Sequence, residues 1–204
     1  MNIGIPTLNR YDKLEQCLQS IKNAKVTIVD NGGRFESLLD FSIHKPGKNM
    51  GVAASWNWLL QNVSAPLLIC NDDIIFGEND IQAFYKAYMT SDTGVFYTDN
   101  LPFLNMFSCF MIRPSTIEKI GNFDETFYPA YFEDCDYFRR MVLGRIMWQA
   151  VKTNIIHTPS STLKGYSSIQ MIKHHADFNK NQTYYKEKWG GMPEHEKFQT
   201  PWGK

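Results

Sequence analysis

The sequence has no long hydrophobic run and no excess of charge of either sign. None of its segments reaches the roughly 18 consecutive apolar residues that a membrane-spanning helix needs. The N-terminus shows no signal-peptide pattern, because Asn9, Arg10 and Asp12 interrupt it before an apolar core develops. Lys plus Arg and Asp plus Glu both number 21, so net charge gives no general argument for a nucleic-acid or membrane partner.

Cysteine is scarce, and paired cysteine motifs are absent. Cys17, Cys70, Cys109 and Cys135 form no C-x-x-C pair, which argues against a zinc ribbon or a redox motif. Each lies in an apolar segment, where a free thiol behaves as a small hydrophobic side chain. We therefore expect reduced cysteines and a cytoplasmic protein.

Several nucleotide-binding and hydrolase motifs are also missing. There is no Walker-A loop, no G-x-G-x-x-G after the first predicted strand, no G-x-S-x-G turn and no H-E-x-x-H pair. These absences argue against a P-loop nucleoside triphosphatase, a Rossmann dehydrogenase, an α/β-hydrolase and a zincin protease.

What is present is a regular alternation of strand and helix patterns in a chain of 204 residues with 43% hydrophobic content, which suits one domain with one packed core. Such alternation predicts an α/β fold with a mostly parallel sheet flanked by helices. The predicted strands lie at residues 2–7, 25–30, 41–44, 66–70, 94–98, 107–112 and 145–151, and the predicted helices at 14–21, 35–39, 52–62, 80–89, 115–120, 133–143 and 167–189.

Polar residues cluster where the predicted strands end. In parallel sheets, ligands bind outside the carboxyl ends of the strands. Asn71, Asp72 and Asp73 directly follow a buried apolar strand, and carboxylates with phosphates are typical ligands of Mg²⁺ and Mn²⁺. An ordinary Asp-rich turn would show the same pattern.

A second acidic cluster begins the helix predicted at 133–143. Glu133, Asp134 and Asp136 are placed where capping and the helix dipole favour carboxylates, but a carboxylate there could also act as a general base. His157 ends an apolar stretch and is either a structural histidine or part of a metal shell.

Two further features bear on phosphate binding. Asn49 and Gly51 precede the predicted helix 52–62, and the N-terminus of a helix attracts phosphate. Residues 164–204 carry more basic than acidic side chains, which predicts either a solvated helix or a tail that meets phosphate.

Taken in order, these motifs resemble the family 2 glycosyltransferases, which have the GT-A fold. The resemblance runs from Ile3 to about Trp189. It is carried by Ile5-Pro6-Thr7-Leu8-Asn9-Arg10, by Val29-Asp30-Asn31-Gly32, by the segment from Asn49 to Asn57, by Asn71-Asp72-Asp73 in place of a D-x-D motif, and by the segment from Phe123 to Asp136 with Arg139.

The resemblance implies a single glycosyltransferase domain, in which residues 1–100 bind a nucleotide-sugar donor, residues 101–163 form the acceptor and catalytic half, and residues 164–204 form a C-terminal helical tail. It implies that Asp73 and His157 hold Mn²⁺ or Mg²⁺ and that Asp134, with Glu133 as the alternative, is the catalytic base. The donor-binding residues it implies are Pro6, Thr7, Asn9, Arg10, Asp30, Asn49, Gly51, Asn57, Asn71 and Asp72.

The implied reaction is an inverting transfer to an acceptor hydroxyl, with a UDP-sugar as the first donor to test. The acceptor stays open between a glycan, a small molecule and a modified DNA base. Asn71 departs from the motif, since it supplies a neutral oxygen where the family pattern has a carboxylate. The alternative is therefore an inactive module of the same fold that binds a nucleotide sugar or a glycan.

Overall fold

The computed structural model describes residues 1–157 and 167–204, and its centre is a seven-stranded sheet. The strands are β1 (Asn2–Thr7), β2 (Lys25–Asp30), β3 (Ser42–His44), β4 (Leu67–Cys70), β5 (Ile74–Ile75), β6 (Val95–Thr98), β7 (Cys109–Ile112), β8 (Trp148–Val151) and β9 (Ile156–His157). The α-helices are α1 (Tyr11–Ser20), α2 (Val52–Asn62), α3 (Asp80–Thr90), α4 (Pro114–Ile120), α5 (Glu133–Leu143) and α6 (Ser168–Trp189).

The order of strands in the sheet is β3-β2-β1-β4-β7-β6-β8. β7 runs antiparallel to both of its neighbours, and the other neighbouring strands are parallel. β5 and β9 form a separate antiparallel pair. The predicted α/β fold with a mostly parallel sheet is confirmed, but the β5–β9 pair was not predicted, because two-residue strands carry no periodicity.

Helices cover both faces of the sheet. Successive residues of β4 point to opposite faces, so Leu68 packs in one hydrophobic cluster and Ile69 in another. The first cluster includes buried residues of α1 and α3, and the second includes buried residues of α2 and α5. This layering explains why most of the strands read as continuous apolar runs.

The helix predicted at 35–39 is absent from the structure, and that prediction is wrong. The Phe35 amide donates a hydrogen bond to Asp30 Oδ2 at 2.7 Å, which holds the chain in an irregular loop. Leu38 is fully exposed and Leu39 is 67% exposed. A helix this short needs tertiary packing, and its leucines have none.

The C-terminal helix α6 forms as predicted and begins with a capping box between Ser167 and Gln170. Its second half buries Tyr185 and Trp189 against Phe127 and Phe132 in a third hydrophobic cluster. In the parts of the chain that the structure describes, no helix is long and apolar enough to cross a bilayer. All four cysteines are free thiols, as expected.

Candidate active site

The carboxyl ends of β1 and β4 bring two of the predicted donor-binding residues into contact. Thr7 ends β1, and its Oγ1 donates a hydrogen bond to Asp72 Oδ2 at 2.6 Å. Burial raises the pKa of Asp72 to about 7, against the opposing effect of the Thr7 hydrogen bond. The two strands are neighbours in the sheet and run parallel, so their ends meet at one edge.

The two predicted metal ligands also meet. β5 directly follows Asp73, and its pairing with β9 aligns Ile74 with His157. His157 Nε2 consequently lies 3.2 Å from Asp73 Oδ1, and both side chains are largely buried. The β5–β9 pair thus joins residues that are far apart in sequence.

This pair suits a divalent cation only if other ligands complete the shell. Within residues 1–157 and 167–204, no cluster of three or more His, Cys, Asp or Glu side chains is arranged to hold a metal ion. Mg²⁺ and similar ions are commonly held by one or two carboxylates together with substrate phosphates and water. Asp73 and His157 fit that mode of binding, in which a phosphorylated ligand supplies the remaining oxygens.

Gly51 brings the start of α2 close to the loop that precedes α5. Its φ is +83°, a conformation that L side chains rarely adopt, and an added Cβ would lie 2.8 Å from the Pro129 carbonyl oxygen. The next amide, that of Val52, donates to the same oxygen at 2.8 Å. Asn31, at the end of β2, accepts a hydrogen bond from the Met50 amide at 2.8 Å and so holds this loop from the other side.

The Glu133–Asp134 pair begins α5, and the two residues before it have an unusual backbone conformation. Tyr131 and Phe132 both have positive φ, at 80° and 72°, which costs on the order of 1–3 kcal/mol for each such residue. Burial raises the pKa of Glu133, and the neighbouring Asp134 charge raises it further. Burial also raises the pKa of Asp134, whose Oδ1 accepts a hydrogen bond from the Cys135 amide at 2.8 Å.

Most of these groups line a cleft of about 560 Å³, whereas His157 is not part of its lining. Asp73 and Asp134, which lie 61 positions apart in sequence (134 − 73), both face it. The predicted site residues that line the cleft are Pro6, Thr7, Arg10, Asn49, Gly51, Asn71, Asp72, Asp73, Glu133 and Asp134. The cleft therefore brings together the predicted metal ligand Asp73, both candidate bases and seven of the predicted donor-binding residues.

Three predicted donor-binding residues lie outside the cleft lining. Asp30 is fully buried, and its carboxylate accepts hydrogen bonds from the Tyr11 hydroxyl and from the Gly32 and Phe35 amides. Asn57 is buried, and its amide bonds both the N–H and the carbonyl of Phe123. Asn9 is exposed and accepts a hydrogen bond from Arg34 at 2.8 Å. These contacts hold the three side chains in local hydrogen-bond networks, and their role in donor binding stays a prediction.

One wall of the cleft was not predicted from the sequence. It comes from the first half of α6, whose Gln170, Lys173, His174 and Asp177 line the cleft. Their i, i+3, i+4, i+7 spacing places them on one helix face. That spacing was a signal available in the sequence, but a polar stripe is also typical of a solvated face.

Known proteins resemble this chain more in structure than in sequence. No protein-family model matches it. A galactofuranosyl glycosyltransferase of Leishmania donovani is 34% identical over 79 residues, a match that covers 38% of this chain and 18% of that protein. The chain thus corresponds to less than a fifth of this relative's length.

Several solved structures share the fold. A mannosyltransferase of Pyrobaculum calidifontis in complex with GDP-Man and Mn²⁺ has a TM-score of 0.59 at 14% identity, covering 86% of this chain and 62% of that one. S. aureus TarS has a TM-score of 0.60 at 14% identity, covering 91% and 72%. The catalytic domain of Drosophila β1,4-galactosyltransferase 7 has a TM-score of 0.55 at 12% identity, covering 82% and 74%.

At 12–14% identity, these likenesses concern the fold. The assignment to family 2 stays a prediction, because the names of these proteins do not include that family. The chain has the GT-A fold of the glycosyltransferases.

Proposed function

We propose that this protein transfers a sugar from a nucleotide-sugar donor to an acceptor hydroxyl. The observation that carries the proposal is the shared cleft: the Asp73–His157 pair and the Glu133–Asp134 pair are supplied by different parts of the chain, and Asp73, Glu133 and Asp134 face the same space. A transferase needs one group to hold the donor diphosphate and another to deprotonate the acceptor. Donor-bound neighbours of the same fold support this choice, since they were solved with GDP-Man and with UDP-GlcNAc.

In this proposal, the donor lies along the ends of β1 and β4, next to Thr7, Arg10 and Asn71. Asp73 and His157 would hold Mn²⁺ or Mg²⁺ together with diphosphate oxygens. When bound, the ion would neutralise negative charge on the leaving diphosphate. Arg10, which also lines the cleft, adds a positive charge on that side.

Asp134 takes the proton of the acceptor hydroxyl in the proposed reaction. The acceptor oxygen forms a bond to the anomeric carbon as the bond from that carbon to the diphosphate oxygen breaks, and the nucleoside diphosphate leaves with the electron pair. Attack from the face opposite the diphosphate inverts the configuration. The raised pKa of Asp134 favours this role, because a base is most effective when its pKa approaches the working pH.

The first donor to test is a UDP-sugar, and GDP-sugars belong in the same panel. A glycan, a small molecule or a modified base in DNA is the proposed acceptor class. We expect metal-dependent release of nucleoside diphosphate from one donor, measured with the purified protein and either Mn²⁺ or EDTA. Asp73→Asn should remove the response to Mn²⁺, whereas Asp92→Asn, which changes an exposed carboxylate outside the cleft lining, should not.

A second function is favoured by one observation. Asn71 replaces a carboxylate, and the described residues offer only a two-ligand metal site, as expected of a module that binds a nucleotide sugar without turning it over. The same experiment separates the two functions. A donor that raises the Tm of the protein but is neither hydrolysed nor transferred supports the binding module. The absence of both effects across the panel contradicts both functions.

A further inference from the structure

The turn that precedes the Glu133–Asp134 pair is held by residues of α6. Lys180 Nζ donates to the Tyr128 carbonyl at 3.1 Å. Asn181 Nδ2 donates to the carbonyls of Ala130 and Tyr131 at 2.8 and 3.3 Å. Adjacent side chains of one helix thus bond three carbonyls of a segment 50 residues away in sequence.

The turn needs such support because its backbone is strained. Tyr131 and Phe132 occupy the left-handed region consecutively, and neither residue is of a type that favours it. Strained conformations of this kind persist only where the surrounding structure enforces them. The carbonyl of Phe132 then accepts the first backbone hydrogen bond of α5, from the Asp136 amide at 2.9 Å. The direction in which α5 leaves the turn, and with it the position of Asp134, depends on this strained pair.

Asn181 is an unfavourable residue for stability alone. Its side chain is fully buried, in a helix whose neighbouring buried residues include Tyr185 and Trp189. Within the described residues, its Oδ1 has no hydrogen-bond partner. A buried polar atom without a partner destabilises a protein, and an apolar side chain of the same size would not leave such an atom. Unfavourable choices of this kind are expected at functional sites.

We propose that Asn181 is a positioning residue, which pins the turn at residues 128–132 and thereby keeps the Glu133–Asp134 pair directed into the cleft. The catalytic part of this inference rests on the proposed transferase function. Asn181 does not contact a substrate in this assignment. It acts through the carbonyls of Ala130 and Tyr131, and α6 is part of the active-site framework in addition to being a wall of the cleft.

The test replaces Asn181 with Leu, which is close in size and cannot donate a hydrogen bond. Asn179→Leu is the matched control, because Asn179 is exposed on the same helix. In Asn181→Leu we expect amide hydrogen exchange to become faster in the peptide covering residues 128–135, without a similar change in the strands. We also expect kcat to fall about tenfold to a hundredfold, the range for a displaced catalytic group. The KM for the donor and its Kd should change much less than kcat, because Asn181 bonds the carbonyls of Ala130 and Tyr131 and not that of Pro129, which contacts the donor segment at Gly51.

Asn181→His adds a rescue arm, since an imidazole N–H can donate to one of the two carbonyls. It should recover part of the lost kcat and slow the exchange again. Unchanged exchange at residues 128–135 in Asn181→Leu overturns the inference, as does a loss of kcat that only parallels a loss of Tm. If the wild-type protein has no transferase activity while the exchange still responds, the transferase function and the catalytic role of Asn181 fail together, and the pinning of the turn is supported.

Discussion

Glu133 and Asp134 are adjacent in the sequence, yet their surroundings differ. Glu133 is 5% exposed, and its Oε2 has no hydrogen-bond partner among the residues described. Asp134 is less buried overall and has one oxygen engaged by the Cys135 amide. Since an acceptor hydroxyl must reach the base, Asp134 is the better candidate, and Glu133 is more suited to a protonated, buried role.

Replacing Asp134 with Asn tests this assignment. We expect kcat to fall by about two to four orders of magnitude, the usual contribution of a positioned acid or base. Donor affinity should not change, because the donor is proposed to bind at the ends of β1 and β4. Turnover and donor binding by calorimetry measure the two effects. Glu133→Gln is the comparison, and a larger loss of kcat in that variant would transfer the role of base to Glu133.

Gly51 is the second residue whose local requirement leads to a prediction. Gly51→Ala would force a methyl group against the Pro129 carbonyl oxygen and a strained φ upon alanine. We expect a loss of donor affinity of about tenfold or more and a lower Tm, measured by calorimetry and thermal unfolding. Gly47→Ala is the matched control, because Gly47 also has a positive φ, of 78°, but an added Cβ there would have no neighbour within 4 Å. Equal effects of the two variants would contradict the importance of close packing at Gly51.

At the scale of elements, α5 and α6 are joined by a buried network of charges. Lys188 Nζ lies 2.7 Å from Asp124 Oδ2 and 2.6 Å from Asp136 Oδ1. Asp136 is fully buried and also bonds Arg140 and the Trp189 indole. The network joins the end of α6 to the first turn of α5, which carries the candidate base.

Removal of the Lys188 charge should therefore weaken the whole C-terminal packing. Lys188→Met leaves two carboxylates without their shared cation, and breaking a buried ion pair costs about 3–5 kcal/mol. The free energy of unfolding in urea measures this loss. Lys186→Met, at an exposed position on the same helix, should cost less than about 0.5 kcal/mol. A loss of similar size in both variants would mean that the buried network does not stabilise the fold.

At the scale of the whole molecule, buried carboxyl groups predict how stability depends on pH. Asp124 is partly buried, which disfavours its charge, but the Lys188 ammonium and the Thr126 amide outweigh burial and lower its pKa to about 2. Because its pKa is lowered on folding, Asp124 stabilises the folded state at pH values above its ordinary pKa near 3.9. This contribution is lost as the pH falls through about 2. The free energy of unfolding should therefore decrease between about pH 4 and pH 2. The decrease should be shallower in Lys188→Met.

The Glu133–Asp134 pair acts in the opposite direction. Burial raises the pKa of both groups, so their contribution to stability is fully present below their ordinary values and is lost as the pH rises through the raised ones. This predicts a decline in stability on the neutral side as well, and a maximum in mildly acid solution for the metal-free protein. Glu133→Gln, which removes one of the two titrations, should flatten the neutral limb of the same urea measurements.

The local elements and the candidate chemistry were determined largely by the sequence. Hydrophobic periodicity depends on neighbouring residues, so the bounds of β2, α2 and α5 agree with their predicted ranges. Acidic residues after an apolar strand were sufficient to predict a polar cluster at Asp72 and Asp73, and both residues line the cleft. The prediction of a helix at 35–39 was wrong because so short a helix depends on packing partners. The local sequence does not show whether the folded chain supplies them.

Only the tertiary structure decided which of these groups share a space. The contact between Asp73 and His157 depends on a two-residue strand pair, and the common cleft of Asp73 and Asp134 depends on where distant segments return to the sheet. The hydrogen bonds that Tyr11 and Phe35 donate to Asp30 also depend on the tertiary structure. The same is true of the position of α6 as a wall of the cleft. Contacts between residues far apart in sequence leave no local periodicity, so the chain must fold before they can be identified.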